Sequence, residues 1–198
     1  MKTIIIGLDG ATWSILDPLI RDGSLPNFRL IIKRGVKASL NSIIPPVTGA
    51  SWLSMATGLN PGKTGIIDFL KLSNEFKLEL VSSIDYHGKA IWDFVGGKGY
   101  VVGVVDYPML YPAYPVNGFM LSSWGGEVSV YPKDMFNKLG APFKDYNISV
   151  EYHREKYNDI KLFFEDLDQA FKKKLNVSRH LLKRWKWDLY IDVIPFTD

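Results

Sequence analysis

The chain contains no cysteine. That excludes a disulfide framework and any thiolate metal site, so a bound metal would have to rest on Asp, Glu, His or hydroxyl oxygen. Histidine is scarce too, with only His87, His153 and His180. No run of about eighteen apolar residues occurs, so no membrane-spanning helix is expected. A large charge excess is also missing. The 24 basic and 21 acidic side chains leave a formal +3, too little to argue for a nucleic-acid partner, though compatible with an anionic substrate. The N-terminal apolar run meets Asp9-Gly10 where a signal peptide would need its cleavage region, so the expected location is cytoplasmic. Without a secretory context the Asn-x-Ser triplets at Asn147 and Asn176 carry no weight. There is no internal repeat and no low-complexity segment.

What is present suits one cored unit. The 198 residues are 46% hydrophobic and 23% charged, enough for a single α/β domain over residues 1–198. Lys2 to Leu8 is a short Ile-rich run that reads as a buried strand feeding a loop. Helical spacing covers Thr12 to Arg21 and Asn27 to Arg34, punctuated by Gly23, Pro26 and Gly35. Val36 to Ile44 alternates like a strand and stops at Pro45-Pro46. Thr48 to Thr57 reads as a helix ended by Gly58. Lys89 to Gly97 reads as a helix, Val101 to Asp106 and Asn117 to Ser122 as strands, and Tyr107 to Pro115 as an ordered loop. Pro132 to Leu139 suggests a short helix.

Asp159 to Trp185 is the longest helical stretch. Ile160, Phe163, Phe164, Leu167, Phe171, Leu175, Leu182 and Trp185 recur at three- and four-residue steps. Its acids come early and its bases, including Lys172 to Lys174, come late, as the helix dipole favours. The basic run reads as a solvated face. Leu189 to Ile194 is a final strand. Strands alternating with helices imply a mostly parallel sheet with helices on both faces.

The stretch Ala56 to Gly65, "ATGLNPGKTG", ends like a phosphate-binding loop. Such a loop needs a glycine or alanine five positions before the Gly-Lys-Thr glycine, directly after a strand and with a helix following. Thr57 stands there instead, after a helix, and no clear helix follows Thr64. The run Gly96-Gly97-Lys98-Gly99 precedes a strand, so it fails as a dinucleotide loop. A better phosphate site lies at "IIPPVTGASW", where the Thr48 hydroxyl opens a helix among unpaired N–H groups. Local sequence alone favours a plain N-cap role for Thr48. Asp9 has the same two readings: a strand-end ligand in the crevice of an open sheet, or a cap for the next helix.

Five segments together resemble the type I phosphodiesterase/nucleotide pyrophosphatase family of the alkaline phosphatase superfamily. They are "IIIGLDGATWSILDPLIRDGSLPNF" (residues 4–28), "SIIPPVTGASWLSMATGLNPGKTGIIDF" (42–69), "IWDFVGGKGYVVGVVDYPMLYP" (91–112), "VNGFMLSS" (116–123) and "WDLYIDVIPFTD" (187–198). The resemblance implies an alkaline-phosphatase-like α/β fold and two divalent metal ions, zinc with manganese as the alternative, acting on a small phosphoester. By that resemblance Asp9 is a metal ligand, Thr48 is both nucleophile and metal ligand, and Asp198 opens an Asp-x-x-x-His ligand motif. The amides near Thr48 and Gly49, with Gly10 beside Asp9, would hold phosphoryl oxygens. A metal-lowered hydroxyl pKa would permit attack on phosphorus, and cations about 4 Å apart would stabilise entering and leaving oxygens.

Departures from the family pattern are also visible. The histidine four positions after Asp198 falls beyond the last residue, as do a later Asp-His pair and a final histidine. None of His87, His153 and His180 fits these motifs; each reads as a surface or packing residue. The resemblance therefore implies the N-terminal part of a larger catalytic domain, with a partial two-metal site and little activity alone. Many relatives have histidine at Thr64, and nucleotide pyrophosphatases an asparagine at Phe69, which weakens the case for a nucleotide substrate. With no cysteine and no Cys/Ser-x-Pro-x-Arg pattern, a formylglycine sulfatase is not expected. A non-catalytic binding module and a phosphomutase or phosphomonoesterase, whose nucleophile is usually serine, are the alternatives. A sheet cut after Ile194 would leave apolar surface and an open edge, so a homodimer covering it is expected.

Overall fold

The structure is a computed structural model describing residues 2–123, 127–140, 143, 146–150 and 159–197, with the side chain of Leu139 left aside. In chain order its elements are β1 (Thr3–Leu8), α1 (Trp13–Arg21), α2 (Pro26–Arg34), α3 (Thr48–Thr57), α4 (Pro61–Thr64), β2 (Leu70–Leu72) and β3 (Leu78–Leu80). A 3-10 turn at Ser83–Asp85 leads into α5 (Ile91–Gly97), β4 (Val102–Val105), β5 (Gly118–Ser122), β6 (Ser129–Tyr131), α6 (Met135–Leu139), α7 (Ile160–Arg184) and β7 (Leu189–Ile194).

Five strands form one sheet in the order β1-β7-β4-β5-β6. β1, β7, β4 and β5 run parallel, and β6 is antiparallel on β5. Apolar alternation on the inner strands feeds two cores. Val102, Val104, Met120, Leu189, Ile191 and Val193 meet Leu53 and Ala56 of α3 and Trp92 of α5 on one face. On the other face, Val105, Phe119, Leu121 and Tyr190 meet Val177 and Leu181 of α7 and Met135 of α6. Both faces are thus covered by helices, as the alternation of elements implies.

Three expectations need correction. Val36 to Ile44 pairs with no described strand, and Val36, Leu40 and Ile44 are almost fully exposed; alternation supplies a face, but a strand also needs an edge to bond. Leu70–Leu72 and Leu78–Leu80 form a small antiparallel hairpin, and β6 joins the sheet, neither of which the pattern announced. On α7 the buried side is Ala170, Lys174, Val177, Ser178 and Leu181, whereas Ile160 and Phe164 are exposed. Lys174 is therefore no part of a solvated face. The loop at 107–115 carries no regular element, as its prolines suggest.

Lys174 sits at 0% exposure between two carboxylates. Its ammonium donates to Asp106 Oδ2 at 2.6 Å. It also forms an ion pair with Asp192 Oδ1 at 2.5 Å. Burial lowers the pKa of a lysine, but here Asp106 and Asp192 outweigh it and hold the ammonium above its ordinary value. Asp106 also accepts from the Ser123 N–H and hydroxyl and from the Tyr146 hydroxyl. The cluster ties α7 to the ends of β4 and β5 and to β7.

Candidate active site

The parallel strands deliver Asp9 to the carboxyl end of the sheet, where open α/β folds form their ligand crevice. Leu8 lies opposite Ile194 at the end of β1. The Asp9 N–H donates to Ile194 O at 3.1 Å, and the Thr197 hydroxyl donates to Asp9 O at 2.5 Å. Residues 194–197 thereby run beside Asp9. Gly10 follows with φ +67°, a left-handed turn that glycine adopts without penalty. The neighbouring helix needs no help from Asp9: α1 is capped by Thr12, whose side chain accepts from Ser14 N. The capping role read for Asp9 falls away.

The same holds for Thr48. It is the first residue of α3, and the N-cap is Val47, which brings no side-chain acceptor. A valine at this position supplies no side-chain acceptor to the first-turn N–H groups, at a cost of about 1 kcal/mol relative to Ser, Thr or Asp. Thr48 is half-buried, and Gly49 and Ala50 are buried. Gly49 allows a close approach: a Cβ there would lie 3.1 Å from Asp68 C and from Phe69 N. That close approach brings position 69 alongside the Thr48 turn. Phe69 packs against the apolar core, and its N–H donates to Asp68 Oδ1 at 2.7 Å.

Asp9 and α3 are joined directly. Trp52, one helical turn after Thr48, donates its indole N–H to Asp9 Oδ1 at 3.1 Å. Side chains at i and i+4 share a helix face and lean toward the N-terminus, so the link runs along the face that carries Thr48. The sequence pattern did not single out Trp52. The only available signal was its spacing of four from Thr48.

The glycine-lysine stretch is otherwise engaged. Gly58 ends α3 in the left-handed conformation at φ +68°. Asn60 caps the four-residue α4 by accepting from Lys63 N, and Thr64 accepts from Ile66 N. No strand precedes this stretch, so it is not a P-loop. His87 lies edge-on to Tyr114 and His180 edge-on to Phe143, with ring centroids 4.4 and 5.1 Å apart; these are packing contacts. His153 and Asp198 lie outside the described residues.

For metal chemistry, Asp9 and Thr48 offer two oxygen donors, a set that suits zinc or manganese. Among the described residues no group of three or more His, Asp or Glu side chains converges. Asp9 and Thr48 alone do not complete a zinc site, which takes four ligands.

A family model described as Type I phosphodiesterase / nucleotide pyrophosphatase matches residues 3–198. No curated protein and no solved structure matches the chain. Among the described residues no helix is long and apolar enough to cross a membrane.

Proposed function

Because the chain belongs to the type I phosphodiesterase/nucleotide pyrophosphatase family, whose chemistry is hydrolysis of phosphodiester or pyrophosphate bonds, we propose that its working site is the Asp9–Thr48 corner. The observation that carries this reading is the Trp52 bond, which brings a strand-end carboxylate and an uncapped helix start together. Thr48 supplies the nucleophilic hydroxyl, and the Thr48 and Gly49 N–H groups, at the positive end of α3, receive phosphoryl oxygens. Asp9 and Thr48 are also the residues that hold a divalent ion, zinc or manganese, with Asp198 as a further ligand. Such an ion would lower the hydroxyl pKa and screen phosphoryl charge. Gly10 lets the chain turn away after Asp9, leaving space for the substrate. Phe69 stands beside this turn and packs into the core, offering no side-chain amide to a nucleotide, which weakens the case for a nucleotide substrate.

The described donors are fewer than the four ligands a zinc site takes, so binding is the first readout. In 15N-labelled protein, zinc plus orthovanadate, a mimic of phosphoryl transfer, is expected to shift the Thr48 and Gly49 amide signals. Thr48→Ala and Asp9→Asn should each suppress that shift. Vanadate binding that ignores both substitutions, or that maps to Gly62–Thr64, would overturn the assignment. In the alternative of a non-catalytic binding module, the amides would shift with vanadate alone and Thr48→Ala would change nothing.

A further inference from the structure

We infer that Trp52 is a positioning residue, one that sets the Asp9 carboxylate and fixes it to the helix carrying Thr48. The inference rests on the proposed roles of those two residues and adds one that no motif assigns. Three residues hold Trp52 through four contacts. Its indole N–H donates to Asp9 Oδ1 at 3.1 Å. Its ring covers Gly7 of β1 so closely that a Cβ there would meet Trp52 Cη2 at 2.4 Å. From the other side Tyr107 stands edge-on, with centroids 5.4 Å apart and planes at 82°, while the Tyr107 hydroxyl donates to Trp52 O at 2.6 Å.

Tyr107 is itself held. It is 1% exposed and sits edge-on to the buried Trp92 at 4.8 Å. Trp92 donates to the Tyr114 hydroxyl at 2.6 Å, and Tyr114 donates to Asp93 of α5. A continuous aromatic stack therefore runs from Asp9 through the core to α5. A ligand carboxylate depends on such a partner for its orientation, because a free carboxylate rotates about its last bond. Packing alone would need only a large ring over Gly7. The indole N–H aimed at Oδ1 is the feature that a purely packing role does not require.

The test uses the 198-residue chain and Mn2+ as probe, read by paramagnetic broadening of NMR signals. Six tryptophan indole signals exist, and Trp52→Phe identifies the one of interest by its disappearance. In the unaltered chain the Trp52 indole signal is expected to broaden at the lowest Mn2+ concentration among the six, and Asp9→Asn should remove the effect. Trp52→Phe keeps a ring over Gly7 and against Tyr107 but loses the donor. Its Mn2+ affinity, read from broadening of the Thr48 and Gly49 amides, should fall about 10–100-fold while the circular dichroism spectrum is retained. If Trp52→Phe binds Mn2+ as tightly as the unaltered chain, the ring only packs and the inference is overturned. If the unaltered chain shows no broadening near Asp9 at all, the metal reading itself fails, and this inference with it. Should Trp52→Phe not fold, Tyr107→Phe, which releases Trp52 O while keeping both rings, takes its place: a lowered Mn2+ affinity at the Thr48 and Gly49 amides supports the inference, and an unchanged affinity contradicts it.

Discussion

Replacing Lys174 by methionine removes the one cation found among the described residues of a buried cluster while keeping most of the side-chain volume. The two carboxylates it serves do not lose equally. Asp106 keeps three donors: the Ser123 N–H, the Ser123 hydroxyl and the Tyr146 hydroxyl. Asp192 keeps only the Tyr190 hydroxyl at 3.1 Å among the described residues. Removing one partner of a buried ion pair costs about 3–5 kcal/mol, because the charge left behind has lost both water and partner. Most of that penalty should arise at Asp192, which lies in mid-strand at 3% exposure. Lys174→Met is therefore expected to lose about 3–5 kcal/mol in urea denaturation. The double change Lys174→Met with Asp192→Asn should recover a large share of it, whereas pairing Lys174→Met with Asp106→Asn should recover less. A Lys174→Met chain within about 1 kcal/mol of the parent would refute the reasoning, since that is the scale of an exposed pair.

Three further outcomes follow from the same geometry. Gly7→Ala would place a methyl 2.4 Å from the Trp52 ring; it should cost about 1–3 kcal/mol by overpacking and move the Trp52 indole signal, and no change in either would show that β1 yields freely. Burial raises the pKa of Tyr146, Tyr107 and Tyr190, with nearby carboxylates adding to it at Tyr146 and Tyr190, and the Lys174 pKa is also raised. Groups with raised folded pKa values contribute fully below their unfolded values and lose that contribution as pH climbs, so stability should fall from about pH 10 upward, by up to about 1.4 kcal/mol per pH unit for each such group; a flat profile to pH 11 would contradict the burial of these side chains. Finally, β1 is an edge strand with Ile4 and Ile6 each half exposed and no proline or inward charge to protect it; we propose that a second copy covers this edge, so light scattering should report a dimer that Ile6→Lys makes monomeric, and a monomer at high concentration would refute it.

How much of this was legible in the sequence depends on whether the signal was local. Thr48 to Thr57 was delimited on both sides by residues whose backbone roles are their own, a double proline before and a left-handed Gly58 after, and the helix has those bounds. Leu189 to Ile194 is apolar apart from Asp192 and forms an inner strand. The place of Asp9 follows from topology, because the carboxyl ends of parallel strands share one edge of the sheet, and its link to α3 runs through Trp52. What could not be read depended on distant partners. Val36 to Ile44 has the alternation of a strand but no described neighbour to bond. Lys174 occupies a three- and four-residue stripe with Ala170, Val177, Ser178 and Leu181, yet a lysine in a basic run carries no sign that Asp106 and Asp192 await it. Trp52 carries no local signal of its own, and only the position of Asp9 after folding shows where its N–H points.

The most direct test of the Asp9–Thr48 assignment is a crystal structure of the chain with zinc and orthovanadate, using the anomalous signal of zinc to locate the ion. The account predicts a zinc peak at about 2.0–2.2 Å from an Asp9 carboxylate oxygen and adjacent to the Thr48 hydroxyl, with vanadate against the Thr48 and Gly49 N–H groups. Zinc bound elsewhere, or vanadate seated on Gly62–Thr64 with the start of α3 empty, would contradict it.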